Sequence, residues 1–184
     1  MKKAVYFFCS DPFDHVAGNV LKAVSGIFSP RETSLSVDDM PVLEYVDDEG
    51  SVFLFVRTQK VVSHDYIKYL PVMRELFSDC TAAGIITWHE GENAHDGILT
   101  THTTGDIGSG SFGQADPQCM RNLLYAMERF RIEEGLTEYR VTTEATHWSG
   151  MVYGGGTPDM ITKYPVPLLD IEIGSSPPCW GDLR

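Results

Sequence analysis

The feature that most restricts how this chain folds is a polar run at residues 97–106, with the sequence GILTTHTTGD. Threonines, a histidine and an aspartate follow a short apolar start. A strand in a protein core needs apolar side chains on at least one face, and this run gives most of its length to hydroxyl groups. Buried polar groups need hydrogen-bond partners, and a bound substrate or ion is one source of them. The run therefore indicates a functional strand end.

Two later segments have the same polar character. They lie at residues 142–147, with the sequence TTEATH, and at residues 170–176, with the sequence DIEIGSS. In the second segment Glu172 alternates with Ile171 and Ile173, so it faces the opposite side of a strand from both isoleucines. A carboxylate in contact with solvent and an active-site carboxylate both fit this position.

The order of the predicted elements indicates an α/β fold, with a mixed sheet flanked by helices in a sandwich like that of phosphorylases and hydrolases. The 184 residues, 42% of them hydrophobic, suffice for a single domain over 1–184 or for two lobes that divide near residues 78–82. Such folds place their ligands at the carboxyl ends of strands. Strands are predicted at 3–9, 41–47, 51–58, 81–87, 139–146 and 168–173, and helices up to residue 28, over 66–77 with a kink or restart at Pro71, and from 116 to 134.

Composition narrows the functional classes. A net charge of −12 argues against a broad nucleic-acid surface, because phosphate binding depends on lysine and arginine, but it permits a small basic patch that binds only the end of a nucleic acid. No apolar run reaches the ~18 residues of a membrane span, so no membrane contact is expected.

The cysteines form no C-x-x-C pair, which favours free thiols in a reducing cytosol over a zinc ribbon. They are Cys9, Cys80, Cys119 and Cys179.

The amino-terminal segment allows two interpretations. Lys2 and Lys3 precede a short apolar run, as in a signal peptide, but this run soon meets Asp11 and Asp14. We therefore interpret it as the first core strand.

The histidines indicate metal chemistry. His89, His95 and His102 lie close together in the sequence among acidic residues, and His147 follows Glu144 by three positions. Imidazole and carboxylate groups suit zinc, and a catalytic zinc keeps one position for a water that can attack an ester carbonyl. A metal site built from these residues would need distant segments to meet in space, which their spacing alone does not show.

No compact metal motif supports that assignment. The other interpretation is that these are loop histidines hydrogen-bonded to the backbone or to water. His15 and His64 are interpreted as surface or capping residues.

The threonines also allow two interpretations. β-Branched threonine suits strands, so Thr101 is compatible with a purely structural position. Thr103, Thr104 and Gly105 lie where a strand should end, and their hydroxyl and amide groups are suited to hold a ribose, a phosphate or an oxyanion. We predict that Thr101, Thr103, Thr104 and Gly105 bind substrate.

Tryptophans flank all of these segments. Trp88, Trp148 and Trp180 are suited either to ordinary packing or to stacking against an adenine at an RNA end.

The three polar segments together resemble the archaeal and plant type of D-aminoacyl-tRNA deacylase. That family has a histidine-rich loop that leads into Leu-Thr-Thr-His-x-Thr-Gly, followed by Glu-Ala-Thr-His-His-Gly-Pro and then Glu-Ile-Gly-Ser. Here the segments read LTTHTTG at 99–105, EATHWSG at 144–150 and EIGS at 172–175. The likeness covers residues 80–182 well and the earlier part loosely.

Three differences from the family pattern stand out. Trp88 replaces the arginine that usually precedes the first histidine, and Trp148 replaces the second histidine of the later motif. Family sequences also continue beyond Glu-Ile-Gly-Ser. We therefore interpret this chain as a short, divergent member that lacks the usual carboxyl-terminal part, either because it is a shortened relative or because that part has been removed.

The resemblance implies a cytoplasmic hydrolase that cleaves the ester between a D-amino acid and the 3′ end of a tRNA, with zinc as cofactor. It implies catalytic roles for His102, Glu144, His147 and Glu172. It also implies that the metal ligands are His89, His102 and His147. The alternatives are a non-catalytic relative that binds a small molecule or a protein, and a hydrolase or phosphorylase of a small nucleoside-like substrate. The oligomeric state stays open.

Overall fold

A computed structural model describes residues 2–147 and 154–182 of the chain. The main-sheet strands are β1 (Lys3–Cys9), β2 (Arg31–Val37), β3 (Met40–Val46), β4 (Val52–Thr58), β5 (Ala82–Trp88), β6 (Ile98–Thr103), β9 (Arg140–Thr143) and β10 (Leu168–Ile173), while β7 (Gly105–Asp106) and β8 (Ser111–Phe112) form a small hairpin. The helices are α1 (Ala17–Phe28), α2 (Tyr66–Leu76), α3 (Pro117–Glu133) and α4 (Pro177–Trp180), with 3-10 turns at Val62–His64 and Pro158–Lys163.

The main sheet has eight strands in the order β2-β3-β4-β1-β5-β10-β6-β9. Its centre is parallel, because β1 pairs in parallel with β4 and β5, and β5 with β10. β6 runs antiparallel to β10 and parallel to β9. The sheet is continuous across residues 78–82, since β5 joins β1 to β10. The carboxyl ends of β5 and β10 therefore lie side by side.

Helices cover both faces of the sheet, which confirms the predicted fold class. One face packs on α2, whose Tyr66, Tyr69 and Met73 are almost wholly buried. The other face carries Phe8, Leu169 and the partly buried apolar side chains of α1 and α3. Within residues 2–147 and 154–182, no helix combines the length and the hydrophobicity needed to cross a bilayer.

Local sequence signals explain several element boundaries. Asp116 caps α3 by accepting hydrogen bonds from the amides of Gln118 and Cys119, and Gly135 follows the helix at φ 66°. Helix α2 continues through Pro71 as one helix, so the predicted restart does not occur there.

Strand β2 was not predicted from the sequence. It is an edge strand whose side chains are mostly exposed or half-buried. An edge strand of this kind has no continuous apolar face from which it could be recognised.

Candidate active site

His102 lies between two buried carboxylates because β6 and β10 are adjacent. In the antiparallel register His102 is opposite Asp170, and Thr100 is opposite Glu172, so both acids share the face of His102. The His102 Nε2 atom lies 3.5 Å from Glu172 Oε1, and its Nδ1 atom lies 3.8 Å from Asp170 Oδ2. The three side chains form the buried floor of the site.

The segment after β9 brings Glu144 and His147 to the same place. β9 runs parallel to β6, and His147 forms a bridge with Thr104 just beyond both strands. The His147 ring stacks on the His102 ring with 3.9 Å between centroids and 26° between planes. Glu144 Oε2 lies 3.8 Å from His147 Nε2.

His89 completes the cluster from the end of β5. Its Nε2 atom lies 2.7 Å from Glu144 Oε1, and its Nδ1 atom lies 2.6 Å from the hydroxyl of Ser175, which follows β10. The three polar segments of the sequence therefore meet in one group, which we call the His/Glu cluster: His89, His102, Glu144, His147, Asp170 and Glu172.

The histidines of this cluster share one orientation. The Nδ1 atom of His102 lies 3.1 Å from the Thr103 carbonyl, that of His147 lies 2.8 Å from the Ala145 carbonyl, and that of His89 faces the Ser175 hydroxyl. Each Nε2 atom faces a carboxylate. Proteins hold metal-ligating histidines in this way, with one ring nitrogen fixed by an oxygen and the other presented to the ion.

Two sets of ligand atoms have the composition of a divalent cation site. His102, Glu144 and His147 form one, and His89, Glu144 and Glu172 form the other, each with ligand atoms within 4.8 Å of one another. Among the described residues His102 Nε2 is buried without a hydrogen-bond partner. A buried imidazole nitrogen without a hydrogen-bond partner, next to carboxylate oxygens, fits zinc, because zinc binds nitrogen and oxygen ligands.

The histidines are the groups that can balance the negative charge of the carboxylates in the cluster. Burial disfavours the charged imidazole, but the neighbouring Glu172 and Asp170 carboxylates outweigh this and raise the pKa of His102 to about 9. Burial raises the pKa of Asp170 to about 6, against the lowering effects of His102 and the Thr104 hydroxyl. In the part of the chain that the structure describes, the ion pairs of Asp170, Glu172 and Glu144 are all with histidines. Either imidazolium or a bound cation can supply the positive charge.

The predicted substrate-binding residues make internal hydrogen bonds. The Thr101 hydroxyl donates to the Asp170 carbonyl at 2.7 Å, and the Thr104 hydroxyl donates to the Asp170 carboxylate. The Thr103 hydroxyl shares a hydrogen bond with that of Thr146, and the Gly105 amide donates to the His147 carbonyl at 3.2 Å. These contacts join β6, β10 and the segment after β9, so they position the cluster. Their role in substrate binding stays a prediction.

The remaining histidines lie apart from the cluster. His95 Nδ1 lies 3.0 Å from the carbonyl of Gly97, His64 lies in the first 3-10 turn, and His15 is exposed. Trp148, which replaces the family's second histidine, lies outside the described residues.

Two residues of the site received no role from the sequence. Asp170 is wholly buried in β10 among apolar neighbours, and a lone aspartate inside such a strand is the signal that identifies it. Ser175 orients His89, but a serine after a strand-ending glycine is too common to indicate this role.

Gly174 fixes the position of Ser175, and its replacement is expected to be costly. Gly174 has φ +67°, and a Cβ atom there would lie 2.7 Å from the Cys179 Cβ. We expect Gly174→Ala to lower the free energy of unfolding by about 2 kcal/mol, because strain and overpacking act together. Urea denaturation measures this change.

Gly18→Ala is the matched control for this substitution. Gly18 lies in α1 with nothing within 4 Å of an added Cβ, so alanine should raise stability by about 0.5–1 kcal/mol. Equal stability changes in the two variants would contradict the structural role of Gly174.

Comparisons with known proteins identify the family. A family model described as D-aminoacyl-tRNA deacylase matches residues 76–184, which include every member of the His/Glu cluster. A D-aminoacyl-tRNA deacylase of Haloquadratum walsbyi is 34% identical over 118 residues, which is 59% of this chain and 19% of that protein. The matched part is thus about a fifth of that relative's length.

Solved structures share the fold. A crystal structure of AF0625, a conserved protein of unknown function, superposes with a TM-score of 0.70 at 19% identity, over 99% of this chain and 58% of that one. The Campylobacter jejuni 5′-methylthioadenosine/S-adenosyl homocysteine nucleosidase superposes with a TM-score of 0.55 at 13% identity, over 99% of this chain and 87% of that one. Because the family model covers more than half of the sequence, this chain belongs to the D-aminoacyl-tRNA deacylase family.

Proposed function

We propose that the His/Glu cluster hydrolyses the ester between a D-amino acid and the terminal ribose of a tRNA. The observation that supports this proposal is the convergence of His89, His102, Glu144 and His147 from three separate segments, with each imidazole held through Nδ1. All of these residues lie inside the region matched by the family model. The cluster thus combines the proton-transfer groups and ligand types that ester hydrolysis requires.

Exposure separates the residues that can touch substrate from those that support them. The side chains of His147 and Glu144 are 38% and 24% exposed, whereas His102 is fully buried. We assign Glu144 to accept the proton of the attacking water, or to hold the cation, and His147 to protonate the departing ribose oxygen. His89 and Ser175 orient Glu144 from behind. Water adds to the carbonyl carbon, the ester C–O bond breaks, and the products are the free D-amino acid and the tRNA.

A zinc ion fits the same residues. His102, Glu144 and His147 would hold it, with His89 and Glu172 as the alternative partners of Glu144. When bound, zinc would lower the pKa of a water molecule and polarise the ester carbonyl.

Metal removal tests the zinc proposal. We expect chelation to reduce turnover of D-Tyr-tRNA to the uncatalysed background, because the acidified water is lost, and added zinc to restore it. Elemental analysis should find about one zinc per chain, and His147→Ala should retain less of it. Turnover that is unchanged after chelation, in protein shown to be free of metal, would reject the zinc role and leave the proton-transfer roles in place.

The function itself is tested by the release of tyrosine from D-Tyr-tRNA, with L-Tyr-tRNA as the matched control. We expect turnover of the D-ester and little of the L-ester. A chain that is thermally stabilised by D-Tyr-tRNA without turning it over would be a non-catalytic relative. Cleavage of a free nucleoside instead of the ester would support the nucleoside-hydrolase alternative.

A further inference from the structure

Four aromatic rings form a second feature beside the His/Glu cluster. Trp88 ends β5, Trp180 ends α4, and Phe13 and His15 come from the loop after β1. The Phe13 ring meets the Trp88 ring edge-on with 5.3 Å between centroids, and the His15 ring stacks on the Trp180 ring with 5.0 Å between centroids and 9° between planes. The centroids of the His15 and Trp88 rings lie 6.4 Å apart, so the two ring pairs form one connected group. We call this group the aromatic platform.

Buried and partly buried hydrogen bonds fix the platform on the sheet. Asp14, between Phe13 and His15, accepts a hydrogen bond from the Thr87 hydroxyl at 3.1 Å and others from the amides of Val16 and Ala17. On the other side the Trp180 indole N–H donates to the Gly174 carbonyl at 3.0 Å. The rings are therefore held in place by their anchors.

The platform remains open to solvent although it is aromatic. Phe13 is 68% exposed, His15 is exposed, and Trp88 and Trp180 are only partly buried. A fixed set of exposed rings is suited to receive a further planar ring, because aromatic faces stack in offset geometry.

The platform and the His/Glu cluster share the edge of the sheet at which β5 and β10 end, although Trp88 and His89, as consecutive residues, point to opposite faces. Trp88 immediately precedes His89, and Gly174, which holds Trp180, immediately precedes Ser175, the hydrogen-bond partner of His89. In an aminoacyl-tRNA the base is attached to C1′ of the terminal ribose, and the ester to C2′ or C3′ of the same ring. The base and the scissile carbonyl are thus separated by a single sugar.

We propose that the aromatic platform binds the nucleobase of the terminal nucleotide by stacking. The identity of the attached ester rests on the proposed function, but the stacking site rests on the rings alone. Single-stranded RNA bases stack on aromatic and histidine side chains in this manner. A net charge of −12 favours recognition through an uncharged base over recognition through phosphates.

An aromatic amino acid side chain offers the same planar chemistry as a base. Two ligands without an ester distinguish these possibilities. Adenosine carries the base, and D-tyrosinamide carries the aromatic amino acid side chain. The nucleobase assignment predicts that adenosine binds through the platform and that D-tyrosinamide does not.

The experiment measures adenosine binding to the wild-type chain by calorimetry and by saturation-transfer NMR. We expect stronger transfer to the adenine protons than to the ribose protons. Phe13→Ala should weaken binding about tenfold, which is the scale of one base–aromatic stack, while Phe13→Trp should retain it. Phe13 is exposed, so these variants should fold, and thermal melts verify that they do.

Tyr125→Ala is the matched control, because Tyr125 is 66% exposed on α3 and its ring lies against the Arg121 guanidinium and is not one of the four platform rings. It should bind adenosine as the wild type does. Adenosine affinity that is undetectable, or unaffected by Phe13→Ala, would overturn the proposal, as would D-tyrosinamide binding that Phe13→Ala abolishes while adenosine binding persists. If the protein deacylates D-Tyr-tRNA but does not bind adenosine through Phe13, only the platform proposal is rejected. If it binds adenosine through Phe13 but does not deacylate D-Tyr-tRNA, only the proposed function is rejected.

Discussion

Glu144→Gln is expected to reduce D-Tyr-tRNA hydrolysis by about 10²–10⁴-fold, the range that a positioned acid–base group contributes. The carboxylate lies 2.7 Å from His89 Nε2 and 3.8 Å from His147 Nε2, and it belongs to both candidate cation sites. Glutamine keeps the shape of the side chain and removes its charge, so the fold should be preserved. The measurement is the single-turnover rate of tyrosine release.

Glu90→Gln is the control for this variant. Glu90 follows His89 directly but is exposed and lies outside both cation sites. Its rate should match that of the wild type. A Glu144→Gln enzyme that retains full activity would remove Glu144 from the mechanism.

Metal content then separates the two roles assigned to Glu144. A variant that keeps its zinc but loses activity identifies Glu144 as the proton acceptor. A variant that loses both identifies it as a ligand.

His102→Ala is expected to lower the free energy of unfolding by about 3 kcal/mol, besides abolishing hydrolysis. The substitution leaves Asp170 and Glu172 buried at 1% and 5% exposure without the imidazole that lies between them. Urea denaturation of the metal-free proteins measures the loss. Adding Glu172→Gln to His102→Ala should recover part of it, because one uncompensated charge is then gone.

His95→Ala provides the comparison. His95 contacts the carbonyl of Gly97 and no carboxylate of the cluster, so its replacement should cost about 1 kcal/mol or less. Equal losses in the two histidine variants would contradict the electrostatic role of His102.

The cost of His102→Ala should depend on pH with a definite sign. Burial raises the pKa of Asp170 to about 6 from 3.8, so between these values the folded protein binds more protons than the unfolded chain does. The contribution of Asp170 to stability therefore falls as the pH rises through this window. Removing His102 takes away a charge that lowers the Asp170 pKa. The loss of unfolding free energy caused by His102→Ala should therefore be larger near neutral pH, where Asp170 has to ionise, than in acid, where it is protonated.

Much of the site and the sheet centre could be predicted from sequence. The strands β1 and β10 and the capped helix α3 carry strong local signals, and the polar segments around His102, Glu144 and Glu172 stand out against apolar strands. Convergence could not be derived from spacing, because it depends on the order of strands in the sheet. The antiparallel pairing of β6 with β10 places His102 opposite Asp170, and no local pattern specifies that partner.

The auxiliary residues were harder to foresee for the same reason. Ser175 acquires its contact with His89 only because β5 and β10 end side by side. Phe13 and His15 come from a loop near the amino terminus and meet Trp88 and Trp180 only in three dimensions. The internal hydrogen bonds of the threonine hydroxyls to Asp170 and Thr146 were not foreseen either, because they too depend on which segments meet in the fold.

The proposed activity depends on three distant segments that form one metal-dependent centre. The most direct measurement is an anomalous-scattering map, recorded at the zinc absorption edge, from crystals of the active protein. We expect a single strong peak bounded by His102, Glu144 and His147, or by His89, Glu144 and Glu172. A fully active protein whose only zinc peak lies away from these side chains, or which shows no peak, would contradict it.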